Sequence, residues 1–139
     1  MEWAGYKGGE IASKIATNAV KRYIYETLDK RYLNDEGIKR IINLALQFAN
    51  KEVLKKAGES EELEQMGTTL EVCLIYQDKI YIGHIGDSRI YRIRNNEISR
   101  LTTDHSYVET LVEDGTITRE EAFYHPKKNM LIKAIRMYR

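Results

Sequence analysis

The fold class follows first from residues 67–102, GTTLEVCLIYQDKIYIGHIGDSRIYRIRNNEISRLT. This stretch contains three runs rich in Leu, Ile, Val, Tyr and Thr, which are joined by the short polar segments 77–79 and 95–96. Branched and aromatic residues favour strands, and short polar connections between such runs are typical of hairpins. The stretch therefore predicts an antiparallel meander of three strands.

The middle run predicts which side chains share a face. Because alternate side chains of a strand point to opposite faces, two sets follow: Ile80, Ile82 and His84, and Tyr81, Gly83 and Ile85. Both sets are mostly apolar, so both faces are expected to be covered. His84 is expected to be a hydrogen-bonded structural histidine.

An aspartate interrupts the end of this apolar run. The tetrapeptide GDSR, residues 86–89, places Asp87 where a carboxylate must meet a cation, a donor or water. One interpretation is an edge bulge, in which Gly86 bends the strand and Asp87 caps Ser88 or pairs with Arg89. The other is a functional carboxylate.

Two amphipathic helices are predicted before the strands, the first over residues 8–31. Asn34 or Asp35 can cap the second helix, and Gly58 can end it. A helix pair against antiparallel strands is an α+β arrangement. The apolar positions at helical spacing are Ile11, Ala12, Ile15, Ala16, Ala19, Val20, Tyr23 and Ile24, then Ile38, Ile41, Ile42, Ala45, Phe48, Ala49 and Val53.

Shorter elements follow the strands. Residues 107–113 carry a short apolar stripe, and Thr118 with Glu121 forms a capping box for a further helix. Residues 130–135 are compatible with either helix or strand. The tripeptide DHS, residues 104–106, contains triad residue types, but adjacent residues cannot face one another as a triad requires. We interpret it as a turn in which Asp104 or Ser106 caps the next helix.

Composition narrows the possible partners and compartment. The chain has 139 residues with 22 basic and 21 acidic side chains, and a net charge of +1 argues against nucleic acid and anionic membranes as partners. No apolar stretch approaches the roughly 20 residues of a membrane span, and no secretory signal is visible. The single cysteine, Cys73, is expected to be buried, and it favours a reducing compartment. A cytoplasmic location is expected.

Five blocks, in order, resemble the metal-dependent protein phosphatases of type 2C, particularly the bacterial branch. They are GGEIAS at 8–13, MGTT at 66–69, GHIGDSR at 83–89, LTTDHS at 101–106 and HPKKNML at 125–131. The resemblance implies a partial type 2C β-sandwich forming a single partial domain over residues 1–139. Its parts would be a helix pair at about 8–58, central strands at about 67–102 and a flap-like segment at about 103–130.

The resemblance also implies an activity and its cofactors. Type 2C enzymes hydrolyse phosphoserine and phosphothreonine in phosphoproteins with a water that bridges two Mg²⁺ or Mn²⁺ ions. Asp87 matches an aspartate that helps hold an accessory third metal ion in bacterial members. His125, in the flap-like segment, is either a contact to a phosphopeptide or a surface histidine before Pro126.

The rest of the family's metal centre has no counterpart in this sequence. The metal-bridging aspartate of the family falls on Met1, Glu2 is a weak substitute, and the later Ser-Asp-Gly and Asp-Asn blocks are absent. A lone carboxylate holds Mg²⁺ feebly. We therefore expect a domain truncated at both ends, with no assigned catalytic residue, weak or absent metal binding and little activity.

The two alternatives to a truncated phosphatase are a non-catalytic binding module and a metal-independent hydrolase. A non-catalytic module could use the same scaffold to bind a phosphorylated or regulatory partner, and exposed sheet edges would favour a homo-oligomer. A metal-independent hydrolase would need a nucleophile and a base, and the sequence offers no candidate pair.

Overall fold

The computed structural model describes residues 8–28 and 33–135. Met1 and Glu2 lie outside the described residues, as does the predicted end of the first helix at Arg31. The α+β prediction is confirmed. The elements are α1 (Gly9–Thr27), α2 (Asp35–Ala57), a 3₁₀ turn (Glu61–Leu63), β1 (Leu70–Tyr76), β2 (Lys79–Ile85), β3 (Tyr91–Arg94), β4 (Glu97–Arg100), α3 (Tyr107–Glu113) and α4 (Arg119–Tyr124).

The two long helices form one layer of the core. Asn34 caps α2, since its side-chain oxygen accepts a hydrogen bond from the Gly37 N–H at 2.9 Å, and Gly58 follows the last turn as predicted. Alanines and β-branched residues of both helices are buried together with Met66, Leu70 and Val72. Ile11 is an exception to the predicted inward stripe, because 40% of it is exposed.

The predicted three-stranded meander is wrong. The described strands form two separate hairpins, β1–β2 and β3–β4, each a two-stranded antiparallel sheet. Left-handed backbone at Gln77 (φ 53°) closes the first hairpin, and at Asn95 and Asn96 (φ 53° and 61°) the second. Consecutive residues with positive φ suit the right-handed twist of tight hairpins.

The chain leaves the first hairpin at Gly86. Its φ of 118° turns the backbone out of β2, and its N–H and carbonyl bond to His105 instead, at 3.1 and 2.8 Å. Further along, the Ile90 carbonyl accepts a hydrogen bond from the Leu101 N–H at 2.8 Å. The backbone groups of Gly86 and Ile90 therefore bond to the loop after β4, and no described bond joins β2 to β3.

The described residues cover the inner face of the first hairpin but only one end of its outer face, which corrects the prediction that both faces are covered. At the covered end, the His84 side chain is only 10% exposed. On the inner face Gly83 is buried, and a β-carbon there would stand 2.4 Å from Ile42 Cγ2, so α2 lies directly on β2. On the outer face Ile75 and Ile80 are cross-strand partners that are 71% and 62% exposed. Cys73 lies on the same face and is exposed, not buried.

The last third of the chain is held by caps and isolated bridges. Ser106, not Asp104, caps α3 by accepting from the Glu109 N–H, and the predicted capping box of Thr118 and Glu121 is present. Residues 130–135 are neither a helix nor a regular strand, since Leu131 and Ile135 make single antiparallel bridges to Ser106 and Thr68. Among the described helices, none is long and apolar enough to cross a membrane.

Candidate functional site

Asp87 lies at the rim of a cleft of about 280 Å³ between the Gly86 turn and the short helices α3 and α4. Its side chain is exposed, and the predicted pair with Arg89 does not form, because Arg89 turns to Asp104. The polar residues that line the cleft are Asp87, Arg89, Arg100, Asp104, Ser106, Glu109, Arg119, Lys128 and Asn129.

Beside Asp87, two buried carboxylates are neutralised by three arginines. The Asp104 side chain is 8% exposed and accepts from Arg89 Nη2 at 2.5 Å and Nε at 2.9 Å. Arg119 makes a bidentate pair with buried Glu109 at 2.9 and 3.0 Å. Arg100 bridges the two acids, at 3.2 Å from Asp104 and 3.8 Å from Glu109. The accepting carboxylates of Asp104 and Glu109 raise the pKa of Arg89 and of Arg119, respectively.

This arrangement does not fit a two-metal centre. Hard divalent cations need several oxygen ligands, but in the cleft Asp104 and Glu109 are both committed to arginines. Within residues 8–28 and 33–135, no group of three or more His, Cys, Asp or Glu could hold a metal ion. Among the described residues that line the cleft, Asp87 is the one exposed carboxylate.

Two histidines lie beneath the Asp87 turn. His84 Nε2 is 2.9 Å from the Thr103 carbonyl oxygen, which agrees with its predicted structural role, and its ring stacks on His105 with centroids 4.8 Å apart. His105 Nδ1 accepts from the Gly86 N–H, so this nitrogen is unprotonated. Burial, followed by the charges of His84 and Lys133, lowers the pKa of His105, while Asp104 opposes the shift.

The tripeptide at residues 104–106 does not form a triad. Asp104 binds Arg89, His105 accepts from Gly86, and Ser106 caps α3. Each side chain points to a different structural partner, as the turn interpretation predicts.

His125 is placed apart from Asp87. It follows the last turn of α4, its Nδ1 accepts from the Lys127 N–H at 3.1 Å, and its ring lies 5.9 Å from that of Tyr107. It is not among the described residues that line the Asp87 cleft. Substrate contact by His125 stays a prediction.

Glu71 and the arginine–carboxylate pairs of the cleft were not predicted from the sequence. Glu71 could have been found, because counting back from the two-residue turn after Tyr76 places it opposite His84 in the hairpin. The pairing of Glu109 with Arg119 has no such signal, since the two side chains belong to different helices.

The helix pair and the two antiparallel hairpins together define an α+β scaffold that carries Asp87 at the rim of a cleft. A sequence model of the family described as protein phosphatase 2C matches residues 4–133. The chain therefore belongs to the protein phosphatase 2C family, as its five sequence blocks predict.

Known relatives extend this result. The serine/threonine phosphatase Stp of Listeria monocytogenes is 35% identical over 131 residues, covering 94% of this chain and 51% of the relative. The solved serine/threonine phosphatase of S. agalactiae is 32% identical with a TM-score of 0.83, covering 97% of this chain and 54% of that one. The catalytic domain of the phosphatase PstP, solved in complex with two manganese ions, is 30% identical with a TM-score of 0.75, covering 95% and 52%. The chain spans about half the length of each of these three relatives.

Proposed function

We propose that these residues form part of a metal-dependent phosphatase domain that acts on phosphoserine and phosphothreonine in proteins. The family match over residues 4–133 supports the chemistry, and the near-neutral charge supports a protein substrate over nucleic acid or membrane. The chain is one partial domain, with a helix pair at about 8–58, strands at about 67–102 and a flap-like segment at about 103–130. We place it in the cytoplasm.

In this proposal, the 139 residues alone hydrolyse phosphoesters little or not at all. The observation that carries it is the pairing of Asp104 and Glu109 with arginines, which leaves Asp87 as the single available carboxylate among the described residues of the cleft. Two ions that activate water need several converging oxygens. Mg²⁺ or Mn²⁺ would therefore bind this chain weakly or not at all.

Two residues carry the proposed contacts. Asp87 would contribute one ligand to a metal ion, since its carboxylate is exposed at the cleft rim. His125 would contact the phosphoprotein, because it begins the loop after α4 and its ring is partly exposed. No residue of the chain is assigned as a catalytic nucleophile, acid or base.

The test is turnover of p-nitrophenyl phosphate by the purified 139-residue chain with Mn²⁺. We expect the chain and its Asp87→Ala variant to hydrolyse the ester at the same background rate. Listeria Stp under identical conditions, the positive control, should hydrolyse it above that rate. Asp78→Ala, which changes an exposed aspartate in the β1–β2 turn, is the matched control. Hydrolysis that Asp87→Ala abolishes and Asp78→Ala retains would show that the chain is active.

A non-catalytic module that binds a phosphorylated or regulatory partner is the second candidate, and exposed apolar strand residues favour it. The cross-strand pair Ile93 and Ile98 is 75% and 69% exposed, as the Ile75–Ile80 pair is on the first hairpin. Exposed strands of this kind tend to pair with another chain, so this reading includes a homo-oligomer. Sedimentation velocity should then give a mass above the 16.2 kDa of one chain. A monomer at every concentration would count against self-association.

A further inference from the structure

Glu71 and His84 face each other across the first hairpin with no proton assigned between them. They are register partners in β1 and β2, and Glu71 Oε1 lies 3.4 Å from His84 Nδ1. Both atoms are buried, and neither has a hydrogen-bond partner among the described residues. A buried polar atom without a partner is costly, so this juxtaposition calls for an explanation.

The protons on His84 and Glu71 explain the contact. The Thr103 carbonyl can only accept a hydrogen bond, so His84 Nε2, 2.9 Å away, carries a proton. If His84 is neutral, its Nδ1 is then a bare lone pair that faces a carboxylate oxygen. One additional proton, on either Nδ1 or Oε1, converts this repulsive contact into a hydrogen bond.

We propose that Glu71 and His84 share one buried proton. This proton stabilises the contact between the turn that contains Gly86 and Asp87 and the loop after β4. Through Nε2, His84 holds Thr103, and its ring stacks on His105. His105 in turn binds both the N–H and the carbonyl of Gly86. Glu71 and His84 are thus positioning residues that act on Asp87 through His105 and Gly86.

The surrounding charges are consistent with a single shared proton. Burial raises the pKa of Glu71, His84 lowers it, and the Asp87 carboxylate raises it again. His105, against the other side of His84, is neutral, because its Nδ1 accepts from Gly86. Lys133 and Asp104 also act on His105, in opposite directions.

The number of protons bound to the Glu71–His84 pair sets the direction in which the stability of the fold changes with pH. The folded pair holds one shared proton, which the two side chains no longer share once the chain unfolds. The folded chain then binds more protons than the unfolded chain, so stability falls as the pH rises. The raised pKa of Glu71 has the same sign: its contribution is present at low pH and is lost as the pH rises through the folded value.

Urea unfolding of the whole chain between about pH 6.5 and 8.5 tests the proposal, with Glu71→Gln as the variant. The glutamine amide donates to Nδ1 at any pH, so the variant does not need the shared proton. We expect the unfolding constant of the parent chain to rise with pH more steeply than that of Glu71→Gln, by up to about tenfold per pH unit for one proton. Glu62→Gln, at an exposed position of the 3₁₀ turn, should keep the parent slope. Equal slopes in the parent chain and Glu71→Gln would overturn the proposal.

A spectroscopic measurement covers the case in which Glu71→Gln does not fold. In the parent chain at pH 7, ¹⁵N shifts of His84 and the ¹³C shift of the Glu71 carboxyl report where the proton is. Protonated Nδ1 or a protonated Glu71 carboxyl supports the proposal, and a bare Nδ1 facing an ionised carboxylate overturns it. Both readouts are independent of phosphatase activity, so failure of the proposed function would leave them unchanged.

Discussion

Gly86→Ala is expected to lower the free energy of unfolding by about 2–5 kcal/mol, since it combines backbone strain with an overlap in a packed region. The φ of 118° at Gly86 is a conformation that residues with a β-carbon rarely adopt. An added β-carbon would also stand 2.4 Å from Thr69 Cγ2 and 2.6 Å from Thr69 Cβ. Relief would require the backbone before β1 to move, because Thr69 Cα is only 3.2 Å away. The midpoint of urea unfolding measures the loss.

Gly9→Ala is the matched control for this substitution. A β-carbon at Gly9, the first residue of α1, meets nothing within 4 Å. Replacing a helical glycine by alanine at a compatible position stabilises by about 0.4–1 kcal/mol. If Gly86→Ala unfolds at the same urea concentration as Gly9→Ala, the close approach of the Gly86 turn to Thr69 is wrong.

Asp104→Ala should produce the second large loss, about 2–4 kcal/mol, because it removes one partner of a buried ionic network. Asp104 holds Arg89 and Arg100 together, and its own side chain is 8% exposed. After the substitution, water can solvate the charge of Arg89, whose side chain is 42% exposed, better than that of Arg100, whose side chain is 23% exposed. The two arginines would also repel each other once the carboxylate between them is gone.

Urea unfolding at low and at 1 M salt checks this prediction. Added salt should recover part of the loss in Asp104→Ala, because it screens the remaining like charges. The exposed Asp78→Ala variant should stay within about 0.5 kcal/mol of the parent chain at either salt concentration. A loss in Asp104→Ala no greater than in Asp78→Ala would mean that the network does not hold the cleft wall.

The features that the sequence predicted are those set by neighbouring residues. The Asn34 cap, the Gly58 end and the capping box of Thr118 and Glu121 each depend on groups within a few positions of one another. The turn residues of both hairpins are likewise local, since Asn95 and Asn96 tolerate positive φ.

The failures concern contacts between distant parts of the chain. Alternation in β2 identified two faces, but it could not reveal that α2 covers only the face with Gly83. Cys73 was therefore assigned to the wrong environment. The meander was wrong because Gly86 and Ile90 bond to residues 101–105, and no short-range pattern indicates that exchange.

In the candidate site, too, features set by neighbouring residues were predicted and contacts between distant residues were not. The motif at residues 86–89 singled out Asp87. Arg89, however, pairs with Asp104, fifteen positions away, and not with Asp87, two positions away. Pairing of this kind depends on how the loop after β4 folds back onto the Gly86 turn.

Calorimetric titration of the 139-residue chain with Mn²⁺ distinguishes weak single-site binding from a two-metal centre, because metal stoichiometry does not depend on the choice of substrate. With Asp104 and Glu109 held by arginines, we expect at most one weak binding event, which Asp87→Ala removes. Two Mn²⁺ ions bound per chain at micromolar or lower concentration would contradict the account.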